Sequence, residues 1–477
     1  MKDLPKAFWD PVKPEVLDII HQKTLEVLKS IGLNFHSEEA VQIFKKHGLK
    51  TDGMRVYFDE KIVEKSLTSC PADFLIHARD PEKTVHLGKK MVVATATGCL
   101  YYEDLKQGRR PAVLEDFITI QKLYQTSPIG DMAGYTTVYP SDIPTETKFL
   151  TMTLNSLKHT SKPIICPMSH KQETLGMLKM VEIGFEDADI FKKKCVVGAG
   201  ITPLNPLQYG KEALDTMISY SQRGQALFLA PASMIGMSSP ISIMGTVVQQ
   251  NAEILGGLTL TQLINPGSPI LYMPGCFTGF MRTAGCAVSG ADSFLANAIN
   301  FQLARVKYKL PLRGNASITE AKTVDVQAGA ETMLGIIMAM LGGVSMFHIS
   351  LGIMDSILCF SPEKMLIDEE IFSRCAHIMA GPSVKEEDFA FEILNDVGPG
   401  GSFLTHKSTQ KNFRKLWMPT VSHWDSYQNC EAAGKDSVCE RAAKLVEQRL
   451  KKADKIYISG EQEKALANIV AEAKHMP

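Results

Sequence analysis

The sequence predicts an α/β protein whose core is a parallel sheet covered by helices on both faces. Short apolar runs rich in Val, Ile and Leu recur from Leu114 onward, at spacings of roughly thirty to forty residues. The segments between them have the periodicity of helices. The runs are apolar throughout, as strands buried on both faces must be. At 477 residues, the chain can form one elaborated TIM (β/α)8-type barrel with appendages.

Residues 1–112 are expected to form an α+β appendage ahead of this core. Apolar residues share one helical face over 16–31, where Gly32 ends the helix, and a second helix is expected over 38–46. Short strands separated by turn residues follow at 55–58, 74–78, 91–97 and 100–103.

The barrel itself is expected over residues 113–380. Its predicted strands lie near 131–139, 163–168, 195–201, 226–231, 269–275, 310–315 and 344–350. One further strand is needed to close the ring, and both 91–97 and 355–360 qualify. Residues 381–477 are expected to form a helical extension that packs on the barrel or on a neighbouring subunit of a homo-oligomer.

The stretch 310–360 combines strand-like apolar runs with polar residues suited to a binding site. One strand ends at Arg313 and Asn315, an apolar helix covers 328–341, and a second strand carries His348 to a loop. In a barrel of such βαβ units, the strand ends and the loops after them form the active face. We therefore expect these three polar side chains to face one pocket.

The same stretch resembles a segment of the trimethylamine methyltransferase family. It runs Gly314-Asn-Ala-Ser-Ile-Thr-Glu-Ala-Lys-Thr-Val-Asp-Val-Gln-Ala-Gly329, and the position at which archaeal members carry pyrrolysine falls near Ile318. The chain is therefore similar to the larger, non-pyrrolysine branch. Further matching pieces follow the same order along nearly the whole chain: His77-Ala-Arg-Asp-Pro81, Arg109-Arg-Pro-Ala112, Thr202-Pro-Leu204, Asn265-Pro-Gly-Ser-Pro269, Ser361-Pro-Glu363 and Gly398-Pro-Gly-Gly-Ser-Phe-Leu404.

The resemblance implies a TIM-type barrel and a methyltransferase that demethylates a quaternary amine such as glycine betaine. The methyl group would pass to Co(I) of a corrinoid (cobalamin), the strong nucleophile that such a donor requires. The chain lacks an Asp-x-His-x-x-Gly corrinoid signature, so we expect the corrinoid on a separate partner protein and none bound tightly to this chain. Glycine betaine, proline betaine, carnitine and butyrobetaine are not distinguished by the sequence.

Aromatic faces can hold a quaternary ammonium, and each contributes roughly 0.5–2 kcal/mol. The alternative for every aromatic residue is an ordinary position in the core. Tyr102 and Phe360 rank first because their segments take part in the resemblance. The remaining candidates are Tyr101, Tyr139, Phe277 and Phe347.

A betaine also carries a carboxylate, for which Arg313 offers a planar fork of donors. The alternative is an internal ion pair of Arg313 with Glu320 or Asp325. His348 is expected to donate to the same carboxylate, or else to be a satisfied core histidine. Demethylation of a quaternary amine needs no proton transfer at the carbon. We therefore assign no catalytic acid or base and expect Glu253, Glu320 and Asp325 to be structural, orienting or partner-facing.

Composition disfavours other classes of protein. The 51 basic and 52 acidic residues nearly balance, so no nucleic-acid surface is indicated. No apolar stretch suggests a membrane span, and no secretory signal is apparent. Ten cysteines without zinc-like spacing indicate reduced thiols in a cytoplasm and no metal site. Two alternatives remain open: a lyase-type barrel enzyme and a non-catalytic betaine-binding or sensing barrel.

Overall fold

The structure of the protein, a computed structural model, describes residues 2–5 and 8–473. Its centre is a set of parallel strands. We number them β1 to β8: Lys90–Val93, Ala133–Gly134, Ile164–Cys166, Val197–Ile201, Ala226–Leu229, Ile270–Tyr272, Arg313–Asn315 and Met346–His348. Each strand predicted for the core coincides with one of them, although the observed strands are shorter. The predicted α/β class is thus confirmed.

Backbone hydrogen bonds join these strands into two parallel groups that meet at both edges. Strands β2 to β6 form one sheet in chain order, and β1, β8 and β7 lie side by side in a second. A parallel bridge between Tyr272 and Leu312 links β6 to the residue before β7. At the other edge, Asp131 N donates to Val93 O at 2.7 Å. Strand β1 therefore has β8 on one side and the start of the β2 segment on the other.

Helices cover the outside of the parallel strands. The side chains of Ser242 and Asp325 cap two of them by accepting from backbone N–H groups in the first turn. The helix Ile243–Ile264 is buried along most of its length because it packs between the sheet and the N-terminal helices. The others are Leu114–Thr126, Lys148–His159, Lys171–Phe185, Ile190–Lys193, Lys211–Ser221, Ala291–Gln302 with its π-helical continuation Leu303–Tyr308, and Val326–Leu341.

The N-terminal segment packs on this helical layer. The two helices predicted there are confirmed as Pro14–Ser30 and Glu38–Lys46, and Glu60–Ser69 adds another. The Phe35 ring stacks on Tyr209 at 5.3 Å, so this segment shares one continuous apolar core with the rest of the chain. A small sheet connects the two parts through the strands Leu33–Phe35, Lys50–Asp52, Arg55–Tyr57 and Gln208–Tyr209.

A second apolar cluster fills the inner side of the parallel strands. Ile165, Phe228 and Met346 project into it from three different strands. The antiparallel hairpin of Phe74–Ile76 and Val85–Leu87 contributes its own apolar side chains to the same cluster. This side of the parallel strands is therefore covered by packed apolar side chains.

The segment 355–360, one of the two candidates for the remaining core strand, pairs elsewhere. Its strand Cys359–Phe360 lies parallel to Tyr101–Asp104 and antiparallel to Ile353–Met354. Tyr101–Asp104 also forms a hairpin with Gly108–Pro111. Ala232–Ile235, Gly275–Phe280 and Gly285–Ala287 form another small sheet beyond β5 and β6.

The C-terminal part is helical, as expected. It begins with the helix Pro362–Ala380, and Val438–Leu450 packs along this helix, where Arg449 forms a bidentate ion pair with Glu369 at 2.9 and 2.5 Å. No helix of the described residues is long and apolar enough to cross a membrane. The other helical segments are Glu386–Phe389, Phe391–Val397, Lys407–Asn412, Phe413–Lys415, Tyr427–Ala432 and Gly460–Ala473.

A substitution at Gly198 in β4 tests the packing of the second apolar cluster. A methyl group added there would overlap the ring of Phe228, so Gly198→Ala should lower the free energy of unfolding by about 1–3 kcal/mol. Gly329 lies in the helix Val326–Leu341 with open space around its Cα, and Gly329→Ala should raise the free energy of unfolding by up to about 1 kcal/mol. Urea denaturation measures both. Equal stability of the native and Gly198→Ala proteins would contradict this packing.

Candidate active site

The candidate site lies at the carboxyl ends of β7 and β8. Asn315 pairs in register with His348, so the two strands end side by side. Arg313 and Asn315 point to the side opposite Gly314, whose Cα faces Phe301 in the helical layer. Arg313 Nη2 donates to His348 Nδ1 at 3.0 Å. The structure thus brings together the three polar residues that the strand ends predicted.

Arg313 is a buried cation without an acidic partner. Only 2% of its surface is exposed, and its other hydrogen bond, from Nη1 to Pro274 O, is long at 3.4 Å. The Nε atom has no partner among the described residues, and none of their carboxylates pairs with the guanidinium. Burial lowers the pKa of Arg313 to about 9. The cost of burying this charge is therefore left uncompensated within the described chain.

His348 is held in its neutral form. It is 1% exposed, and burial together with the charge of Arg313 keeps its pKa well below the usual value. Because Nδ1 accepts a hydrogen bond from Arg313, the proton of the neutral ring is on Nε2. His348 Nε2 has no partner among the described residues. The ring therefore presents an unused N–H donor beside an unused guanidinium donor.

Tyr135 is a further member of the site that the sequence analysis missed. It follows β2 in the left-handed conformation, with φ of 60°, and its ring centroid lies 5.5 Å from that of His348. Burial and the neighbouring Tyr139 raise the pKa of Tyr135 to about 12, so its hydroxyl is a donor at neutral pH. The sequence predicted one strand over 131–139, so Tyr135 was expected within it. The observed strand ends at Gly134, and the chain turns there.

Several buried polar atoms at these strand ends lack partners among the described residues. Arg313 Nε and His348 Nε2 are donors, and Asn315 Oδ1 and Ser350 Oγ belong to the same two strand ends. Buried polar groups are nearly always hydrogen-bonded in folded proteins. A group of unpartnered atoms in one place is therefore typical of a site that a polar ligand completes.

Four of the aromatic candidates contact groups of the protein itself. Arg109 lies over the Tyr101 ring at 4.3 Å, and Arg110 lies over the Tyr102 ring at 5.0 Å. Tyr102 also stacks on the buried Phe360, with centroids 6.1 Å apart. The remaining one of the four, Phe347, lies on the face of β8 opposite His348 and packs edge-on against Phe372 of the helical layer at 5.0 Å.

The other two aromatic candidates lie on segments that follow core strands. Tyr139 is partly exposed a few residues after β2 and packs against Phe149 at 6.4 Å. Phe277, 7% exposed, lies in the strand Gly275–Phe280 directly after β6. Both are therefore on the same side of the core as Arg313 and His348, since Arg313 also contacts Pro274 O between β6 and that strand.

The acidic residues after β7 organise the loop that contains Ile318. Asp325 caps the helix Val326–Leu341 by accepting from Ala328 N at 3.1 Å. Glu320 accepts from Ser289 N at 3.2 Å and from the hydroxyl of Ser356. Neither carboxylate contacts Arg313, so the internal ion pair considered from the sequence does not form.

Other carboxylates lie away from this group of residues. Glu253 is buried in the helix Ile243–Ile264, where it accepts from Leu207 N at 2.8 Å, and burial raises its pKa to about 7. Among residues 2–5 and 8–473, no three His, Cys, Asp or Glu side chains are placed to hold a metal ion.

Comparison with known proteins gives consistent matches over most of the chain. The family described as trimethylamine methyltransferase (MTTB) matches residues 4–476. A glycine betaine methyltransferase of Desulfitobacterium hafniense (strain Y51) is 35% identical over 426 residues, which cover 89% of this chain and 88% of that protein. A proline betaine:corrinoid methyltransferase of Eubacterium limosum is 28% identical over 471 residues, covering 93% and 94%.

A solved structure also matches. The monomethylamine methyltransferase (MtmB) of Methanosarcina barkeri superposes with a TM-score of 0.52 at 13% sequence identity, covering 94% of this chain and 89% of that one. At this identity the match shows a similar fold and nothing about substrate.

The neutral state of His348 predicts a pH dependence of stability. An unfolded histidine has a pKa near 6.5, whereas His348 stays neutral in the folded protein, so the unfolded chain binds the additional proton below that pH. The free energy of unfolding should therefore fall from pH 7 to pH 5, and His348 should contribute up to about 1.4 kcal/mol per pH unit. Chemical denaturation at several pH values should show that the free energy of unfolding of His348→Gln changes less steeply with pH than that of the native protein. His47→Gln, which replaces an exposed histidine, is the control. An equal dependence of the free energy of unfolding on pH in the native protein and in His348→Gln would contradict the neutral state of His348.

Proposed function

The chain belongs to the trimethylamine methyltransferase (MTTB) family, and from this premise we propose that it demethylates a betaine, a quaternary amine with a carboxylate, and transfers the methyl group to Co(I) of a corrinoid protein. The single observation that carries the proposal is Arg313, a buried guanidinium without an acidic partner in the described chain. A substrate carboxylate would supply that partner. Relatives named as glycine betaine and proline betaine:corrinoid methyltransferases support the substrate class.

We propose that β1 to β8 close into a (β/α)8 barrel with this site at its carboxyl face. The bridge from Tyr272 to Leu312 and the hydrogen bond from Asp131 N to Val93 O support closure, because they link the two parallel groups at both edges. The proposed division of the chain is an N-terminal unit over 1–112, from which β1 enters the barrel, the barrel proper over 113–380 and a helical extension over 381–477.

In the proposed complex the carboxylate takes the unpartnered donors of Arg313 and His348. A guanidinium can donate two parallel hydrogen bonds to a carboxylate, and charge-assisted bonds of this kind contribute about 1.5–3 kcal/mol. Tyr135, whose ring centroid lies 5.5 Å from that of His348, offers its hydroxyl as a third donor in this proposal. The position of the carboxylate then sets the distance between the guanidinium of Arg313 and the ammonium group of the betaine.

The ammonium end needs aromatic faces away from the guanidinium. Tyr139 and Phe277 follow β2 and β6 on the same side of the core as the carboxylate site, and we assign them to this role. The rings of Tyr101 and Tyr102 already contact Arg109 and Arg110. We therefore place those two rings outside the cation cage.

The chemical step requires little of the protein beyond binding and orientation. The corrinoid supplies the Co(I) electron pair that forms the new bond to the methyl carbon, and the electron pair of the broken C–N bond stays on nitrogen. The leaving group is then a neutral tertiary amine, which needs no proton. The residues of this chain hold the substrate in line and exclude water. This agrees with a site in which His348 is neutral and no acid–base pair is present among the described residues.

A lyase that forms a Schiff base is poorly supported. The buried Lys162 has a pKa lowered by burial to about 8, as such chemistry requires. However, it precedes β3 at the amino end of the strand, and it donates to Tyr124 O at 2.6 Å and Ser127 O at 3.2 Å. Lys364, the other buried lysine among the described residues, pairs with Asp368 at 2.7 Å. Neither amine is presented to the candidate site.

The thiols are consistent with a reducing compartment. All ten cysteines are free in the structure, and Cys99, Cys166 and Cys276 are among those that are fully buried. We propose that the protein works in the cytoplasm, where such thiols stay reduced.

The first test replaces Arg313. Arg313→Met should reduce betaine affinity by about one to two decades, because a bidentate contact is lost. It should leave the thermal stability of the ligand-free protein equal or higher, because an uncompensated buried charge is removed. Choline lacks the carboxylate and should bind the native protein weakly, with little change in the variant. Calorimetric titration and thermal melts measure these effects.

The matched control is Arg449→Met. This arginine pairs with the buried carboxylate of Glu369, so its removal should lower stability by about 3–5 kcal/mol and leave betaine affinity unchanged. If Arg313→Met instead lowers stability as Arg449→Met does, with betaine and choline affected alike, Arg313 is structural and the carboxylate site is wrong.

The second test is the choice of methyl donor. With reduced corrinoid as acceptor, a betaine should yield methyl-cobalt, whereas trimethylamine should not, because the position that matches pyrrolysine, near Ile318, has an ordinary side chain. Absorbance spectroscopy of the corrinoid follows the reaction. Comparable rates with trimethylamine would contradict the proposed substrate class, and betaine binding without any methyl transfer would favour a sensing function.

A further inference from the structure

Residues 382–416, here called the arm, lie outside the apolar core. The arm contains the short helical segments Glu386–Phe389, Phe391–Val397 and Lys407–Asn412. None of its residues is buried. The hydrogen bonds found for its side chains stay within the arm, as between Ser383 Oγ and Asp388 Oδ2 at 2.5 Å. The arm therefore has local structure but no core of its own.

Both ends of the arm are nevertheless fixed to the helix Pro362–Ala380. The arm leaves from the end of this helix. At its other end, Trp417 Nε1 donates to Ser373 Oγ at 3.2 Å. Glu370 of the same helix accepts from Val421 N at 2.6 Å. The arm is thus presented in a defined position and is not a free tail.

The surface of the arm is strongly apolar. Phe391 is 79% exposed, Leu404 80% and Leu416 70%. A buried aromatic side chain covers about 150–250 Å², so the phenylalanines alone offer on the order of 400 Å², about half of what one partner contributes to a standard interface. An exposed apolar area of this size within one surface segment is typical of an interaction surface. The other exposed apolar residues are Val384, Phe389, Leu394, Phe403 and Phe413.

The charges of the arm favour a second copy of the same chain as the partner. The first half, 386–396, carries Glu386, Glu387, Asp388, Glu392 and Asp396, whereas the second half, 407–415, carries Lys407, Lys411, Arg414 and Lys415. None of these four cations forms a direct ion pair with the acidic half in the described chain, although Lys415 is close enough to add to the lowering of the Asp388 pKa that hydrogen bonds from Ser383 and Lys385 N produce. His406, which directly precedes the basic half, pairs with Asp396 at 3.2 Å. The two halves are complementary to each other.

We propose that two copies of this chain pair through their arms about a twofold axis. A twofold interface is self-complementary, so a residue of one half in one copy meets the other half in its partner, and the reverse contact follows by symmetry. This arrangement places 386–396 of each copy against 407–415 of the other and covers the apolar residues between them. The inference is independent of the proposed reaction.

Sedimentation analysis of the full chain at micromolar concentration tests the pairing. The native protein should be a dimer. Phe391→Glu and Leu404→Glu should each weaken the dimer at least tenfold without lowering the melting temperature of the subunit, because both side chains are exposed. Val326→Glu changes a side chain that is 88% exposed outside the arm, and it should leave the dimer unchanged.

Charge reversal gives a second, more specific test. Replacing Glu386, Glu387 and Glu392 by Lys makes both halves basic, and replacing Lys407, Lys411 and Lys415 by Glu makes both halves acidic. Each triple variant alone should be largely monomeric. An equal mixture of the two should form heterodimers, because each arm then meets an opposite charge at both contacts.

Three outcomes would overturn the proposal. The native chain could stay monomeric at tens of micromolar, or it could form an oligomer that the arm variants do not weaken. The charge-reversal variants could also self-associate as tightly as the native protein. A monomer whose arm variants lose methyl transfer to the corrinoid protein, but keep transfer to free Co(I) corrinoid, would assign the arm to the corrinoid protein instead.

Discussion

The structure of the candidate site depends on one buried charge. Arg313 is the first residue of β7, two positions before the carboxyl end of this strand, and its hydrogen-bond partners are one backbone carbonyl and one neutral histidine. Isolated charges in such surroundings cost several kcal/mol. A protein retains such a group where a ligand returns the lost interaction. His348 stays neutral first because it is buried, and the neighbouring charge of Arg313 lowers its pKa further.

Buried ionic contacts behind the site keep the surrounding loops in place. Lys364 Nζ binds Asp368 and also donates to Ser317 O at 3.2 Å. Asp368 Oδ2 accepts from Gly352 N at 2.8 Å. The loops after β7 and β8 are therefore attached to one helix, Pro362–Ala380, through a single ion pair. Here the opposite charges compensate each other, which is the arrangement that Arg313 lacks.

The sequence predicted the core strands because strands that are buried on both faces are apolar throughout. It also predicted the polar residues at the ends of β7 and β8, because they stand out after such apolar runs. It did not predict Tyr135, since nothing in the apolar run indicates that the strand stops at Gly134. The sequence also did not determine whether Arg313 has an acidic partner, because this depends on tertiary structure. A signal was available for Tyr102: recognising the hairpin to Gly108–Pro111 would have placed Arg110 opposite that ring.

In the proposed complex, pairing of the carboxylate with Arg313 would also affect the methyl group at the other end of a betaine. In water, the negative carboxylate attracts the ammonium, and this attraction disappears when the nitrogen becomes a neutral amine. At an effective dielectric constant of about 20, opposite charges some 4 Å apart attract by about 4 kcal/mol. By neutralising the carboxylate, Arg313 would remove much of that stabilisation from the substrate but little from the product. The proposed interaction would then be more favourable in the transition state than in the bound substrate, which is the condition for accelerating the transfer.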